Sequence, residues 1–224
     1  MAELREAGFE LESVGQLREQ ARYWGVDPRP AYPILMRWLP KLTWHGLRDD
    51  IARTLSHKSL RPVAAPVLIA EFKREIDPTV KGSDLPRFSV ARALETVADE
   101  SHFDAIAELA LDPRYGEPRS RLAYALARLK HPRRDEVLVA LLDDDWMYSL
   151  AIDNIGKKGL YHLRDRVVPF AQSDDKDIRK LVAKTLERLD KAEAKASENT
   201  HKAAERKASK PRSTNSRRSG QAAS

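Results

Sequence analysis

Cysteine is absent from this 224-residue chain, which removes disulfides, thiolate metal sites and cysteine nucleophiles from consideration. Aromatic residues are scarce at 7%, and no apolar run approaches the roughly 18 residues that a membrane-spanning helix requires. The opening stretch, MAELREAGFELESVGQLREQ, alternates charges with single apolar residues. Neither a signal peptide nor membrane insertion is therefore expected, and the default compartment is the cytoplasm. Reactive signatures are missing too: there is no P-loop, no GxSxG, no GxGxxG and no HExxH. His45, His57, His102, His131, His162 and His201 are scattered without zinc spacing. A role without catalysis and without a cofactor is the expectation.

What the chain does have is charge, 33% of its residues, and a formal surplus of +6 that is unevenly spread. From Asp190 to Ser224 there are nine Lys and Arg against four Asp and Glu, leaving the preceding 189 residues at 31 against 30. The last stretch has no aromatic residue and no aliphatic larger than Ala. Such a segment cannot bury enough apolar surface to offset the entropy of ordering it. Residues 190–224 are thus expected to be a helix extension through DKAEAKA, built of good helix formers, and then a disordered basic tail from about Ala196.

The body is organised by one recurring phrase, in which apolar and small residues flank a variable centre. It occurs at Ile51–Leu55, Val90–Leu94, Leu122–Leu126, Ala151–Ile155 and Val182–Leu186, and the last apolar positions are separated by 39, 32, 29 and 31 residues. A period near thirty marks a repeat array. In each copy the apolar residues four apart share one helix face, with small residues where a second helix would approach. Between copies lies another apolar segment, such as AYPILMRWL, HFDAIAELAL or DEVLVALL, so each repeat is predicted to be a helical hairpin. Ser101 with Asp104 reads as a capping box, Ser173 or Asp174 as a cap for the last helix, and Gly25, Gly46, Gly116 and Gly159 as helix-end punctuation. The 39-residue interval contains the insertion REIDPTVKGSDLP, and residues 12–24 are expected to form a helix covering the open end of the stack.

The phrases AYPILMRWL and VVPFAQS for the first helix, VARALETVAD and LAYALARLK for the second, and the aspartates of LLDDD resemble the HEAT-repeat family. The likeness is to the short bacterial form also found in phycobilisome lyase-type HEAT repeats. It covers residues 31–189, after a capping helix and linker in residues 1–30. The copies depart from the pattern at Ile152, Asn154 and Lys158. The resemblance implies an all-α fold, an α-solenoid of about five hairpins whose second helices line a concave partner-binding surface.

If those helices stack in parallel, the variable centres form a column of Arg53, Arg92, Tyr124, Asp153 and Lys184. Four residues on, a second column holds His57, Thr96, Arg128, Lys157 and Arg188. Six of these ten are cationic although the body is nearly neutral. Arg53, Arg92, Tyr124, Arg128, Lys157, Lys184 and Arg188 are therefore the candidate partner-binding residues, although a solvated helix face would carry similar charges. The expected function is a binding module or scaffold for a protein partner, an acidic segment fitting the stripe. The alternative is a nucleic-acid-associated protein using stripe and tail, for which six phosphate contacts would cost roughly 10³-fold in affinity between 50 and 200 mM salt. A third reading is a HEAT-like DNA glycosylase, with Asp153 as the sole carboxylate in suitable surroundings. The repeats by themselves give no bilin-lyase pocket. Asp143, Asp144 and Asp145 are read as a helix cap and not as a metal site, and Trp24, Trp38, Trp44 and Trp146 as packing residues.

Overall fold

The structure, a computed structural model, describes residues 1–77 and 79–208, with the side chains of 203–208 left aside. Twelve α-helices and no strand occur among the described residues. None of these helices is long and apolar enough to cross a membrane. Residues 209–224, where most of the expected disordered tail falls, lie outside the described residues.

Two short N-terminal helices, α1 (Ala2–Glu6) and α2 (Gly15–Tyr23), precede a series of hairpins. The second helices are α4 (His45–Thr54), α6 (Leu85–Val97), α8 (Arg119–Arg128), α10 (Tyr148–Lys158) and α12 (Lys176–Ala208). Each packs on its predecessor in that order, and α2 packs on α4 at the head of the row. The first helices are α3 (Tyr32–Trp38), α5 (Ala65–Lys73), α7 (Phe103–Leu111), α9 (Arg134–Ala140) and α11 (Arg164–Val167). Prolines set how some of them end. Pro40 and Pro169 cannot donate the next helical hydrogen bond, and the chain tightens into 3-10 turns at Leu39–Lys41 and Val168–Gln172.

The recurring phrase is the packing unit. In α6, Val90, Ala91, Ala93 and Leu94 are all fully buried while Arg92 is exposed, and α8 repeats this with Leu122, Ala123, Ala125 and Leu126 around Tyr124. Alanines here allow the backbones to close together, with no void left for a larger side chain to fill. In α12 the pattern breaks: Val182 and Thr185 are buried but Ala183 is exposed. Between α10 and α12 the approach is close, since a Cβ on Gly156 would sit 2.9 Å from the Thr185 side chain and one on Gly159 2.8 Å from Ala192. Gly159 also has φ +62, the left-handed conformation that ends α10.

Several local expectations are corrected. Asp99, not Ser101, closes the start of the third hairpin, its carboxylate accepting from the Ser101 N–H and hydroxyl. Asp175 caps α12 by accepting from the Asp177 N–H at 2.7 Å. The last helix continues past Ala196 to Ala208, helped by Ala content and by Lys–Glu pairs one turn apart at 187/191 and 198/202. Trp24, Trp44 and Trp146 are 65–72% exposed and therefore are not packing residues. They stand at helix ends.

Candidate functional site

The exposed face of the second-helix row carries a groove of about 690 Å³ between α2, α4, α6 and α8. Arg18 and Arg22 enter it from α2, Arg53 from α4, Arg92 from α6 and Arg121 from α8. They reach it by simple helical arithmetic, because 18 and 22 lie one turn apart and 121 lies three residues before Tyr124 on the same helix face. Phe88 and Ser89 contribute to the floor. A second cavity of about 440 Å³ shares Arg18, Arg22 and Arg53 and adds Tyr32 and His57, so the groove continues toward the N-terminal hairpin.

The arginines are not equivalent. Arg18 is committed to α4, donating to the Asp50 carbonyl at 2.9 Å, to Thr54 Oγ1 at 3.1 Å and to the Asp50 carboxylate at 3.2 Å. Arg53 gives its Nε to Asp49 Oδ2 at 2.7 Å, while the other oxygen of Asp49 accepts from Ser89 at 2.5 Å. Arg121 stands 3.7 Å from Glu95, a loose pair. Arg22 lies over the Tyr23 ring at 5.3 Å. The Arg92 side chain makes no hydrogen bond or ion pair among the described residues. Five guanidinium groups thus face three carboxylates, and the excess sits at Arg22 and Arg92.

Of the candidate residues, the structure brings Arg53 and Arg92 together in this groove and sets Tyr124 beside it. The Tyr124 ring has Arg121 at 6.0 Å and Lys157 at 5.7 Å from its centroid. Lys157 and Arg188 converge elsewhere, on Asp153, whose Oδ2 lies 2.5 Å from Lys157 and whose Oδ1 accepts from Arg188 at 3.1 Å. Both oxygens of the carboxylate singled out for glycosylase chemistry are therefore held by cations. Lys184 is exposed on α12 and lines none of these cavities.

Arg128 does something different. It is partly buried and donates to the Glu95 and Ala98 carbonyls at 3.1 and 2.7 Å, while Arg61 donates to Thr96 O at 2.6 Å. Two arginines thereby satisfy the C-terminal carbonyls of α6, which a helix leaves without internal partners. Burial lowers the Arg128 pKa, and the charge of Arg61 acts in the same direction. His57 is displaced from the expected column as well, because α4 ends at Thr54; its ring caps the turn at Lys58–Leu60 and lies 5.8 Å from Tyr32.

Arg18, Arg22 and Arg121 were not among the candidates. Counting from the phrase centres and four residues onward skips Arg121, three residues before a centre, and reading residues 12–24 only as a cover for the stack hides the arginines at 18 and 22. Asp144 acts as a cap, accepting from the Trp146 N–H at 2.9 Å and from Arg119 Nη1 at 2.7 Å. No group of acids, histidines or cysteines suited to a metal ion occurs among the described residues. No family model, curated protein or solved structure matches this chain.

Proposed function

We propose that the chain is a non-enzymatic binding module, an α-solenoid of HEAT-like hairpins, whose second-helix face captures a partner bearing negative charge. The observation that carries this is the unpartnered Arg92 in a groove shared with four other arginines. An anion reaching Arg92 has no existing ion pair to break. Arg53 also keeps its terminal nitrogens available, since only its Nε is engaged with Asp49. Guanidinium groups suit such a role because their planar fork meets carboxylate or phosphate oxygens in pairs. Both partner classes expected from the sequence, an acidic protein segment and a nucleic acid, meet that description.

The test is retention of the full chain on an immobilised polyanion at low ionic strength. Arg92→Glu with Arg121→Glu should elute at lower salt than the parent, with stability changed by no more than about 1 kcal/mol, as for most surface substitutions. Unchanged elution of a folded double variant would remove the proposal.

A further inference from the structure

We infer that the anionic partner of the arginine groove is a single-stranded nucleic acid, read by rings that stand beside the guanidinium groups; this rests on the groove being the binding face. Three aromatic side chains accompany the arginines. Tyr23, 66% exposed, lies under the Arg22 guanidinium at the α2 edge. Phe88 lines the groove on α6. Tyr124 sits half-buried on α8, with Arg121 over its ring. One ring thus lies in the groove with the arginines, and two more stand against arginines that line it, Tyr23 against Arg22 and Tyr124 against Arg121.

Rings beside cations discriminate among anions. A carboxylate-rich peptide would be satisfied by the arginines and has no need of flat apolar partners. A duplex offers phosphates, but its base faces are stacked on one another and are closed to a protein ring. An unpaired strand offers both at once: phosphates for the guanidinium groups, and base faces for rings or for the guanidinium planes themselves. Adjacent helices lie about 8–10 Å apart, so four helices present a path across which successive nucleotides can pass. Stacking of this kind tolerates any base, and no side chain in the groove is placed in a pattern that demands one sequence.

The experiment compares three labelled probes on the full chain: an oligothymidine of about ten nucleotides, which lies within the usual site sizes, a duplex of equal length, and poly-glutamate. The variants are Tyr23→Ala, Tyr124→Leu, their combination, and Arg92→Glu. Removing both rings should weaken oligothymidine binding about tenfold, the scale expected for a lost stacking platform, and leave duplex and poly-glutamate unchanged. Arg92→Glu should weaken the oligothymidine complex too. The inference is overturned if oligothymidine does not bind, if the ring variants bind it as the parent does, or if they weaken all three probes alike. In each of those cases the groove proposal survives provided Arg92→Glu still weakens a polyanion. If Arg92→Glu weakens none, both fall. Tyr23 is a surface residue, so its variant tests the ring even if the Tyr124 substitution disturbs packing.

Discussion

The two halves of the second-helix face use the same residue types to opposite effect. Between α2 and α8, five arginines meet three carboxylates and Arg92 is left without a partner. Between α10 and α12, the cations that continue the stripe, Lys157 and Arg188, close on the two oxygens of Asp153. Cation content is thus a poor guide to a binding surface; what matters is whether an acid stands one turn away or on the facing helix. Even within the first half, Arg92 and Arg128 differ only by one helix and one turn in the repeat pattern. One points to solvent, and the other is spent on the end of α6.

The largest effect should come from the link between the halves. Arg119, 2% exposed, donates to Ala110 O and Gly116 O at 3.1 Å and to Asp144 at 2.7 Å, tying the third hairpin to the fourth. Arg119→Ala removes these side-chain bonds and leaves the Asp144 carboxylate without its cation, and should cost about 3–5 kcal/mol in chemical denaturation, the scale of a broken buried pair. Acid titration sharpens this. Burial alone would raise the Asp144 carboxyl, but hydrogen bonds from Arg119 and the Trp146 N–H, with the Arg119 charge, hold it below its ordinary value of 3.8. A carboxyl depressed in the folded state contributes stability above its unfolded pKa and loses it as pH falls through the folded one. The parent should therefore lose this increment on acidification below 3.8, whereas Arg119→Ala, lacking it already, should show a shallower acid limb.

Next in size is a comparison of one phrase position in two places. Ala123 is enclosed between neighbouring helices and Ala183 is exposed. Ala123→Leu should overpack the row at a cost of about 1–3 kcal/mol, whereas Ala183→Leu should stay within about 0.5 kcal/mol. Equal melting of both variants would mean that the repeat register is misassigned. The smallest shift is expected at Arg128: replacement by Met keeps its packing but strips two carbonyls of their donor, roughly 1–2 kcal/mol, against no measurable loss for Arg92→Met. Should Arg92→Met prove the more costly of the two, the division between a free and a committed arginine is wrong.

Legibility followed the range of the forces involved. The second helices could be read directly, because burial of an apolar-and-small phrase is decided by the phrase itself, and its variable centre is exposed or half-exposed in all five copies. Arg53 and Arg92 followed from that register. The rest depended on contacts between segments far apart in sequence. Nothing near Arg128 says that the carbonyls of residues 95 and 98 will lie beside it, and nothing near Asp153 announces Arg188. The failure at His57 was local: SHKS carries too little helix propensity to extend α4, so a column counted as continuous helix lost its first member.

The length of α12 has a mechanical consequence. At 1.5 Å per residue its 33 residues make a rod of about 50 Å, and only its first half lies along α10. The remainder is a lever arm. A load applied near Ala208 is delivered as torque to the Gly156–Thr185 and Gly159–Ala192 contacts, where there is no slack to absorb it. Tilting the arm must therefore either turn α10 with it or pry the two helices apart.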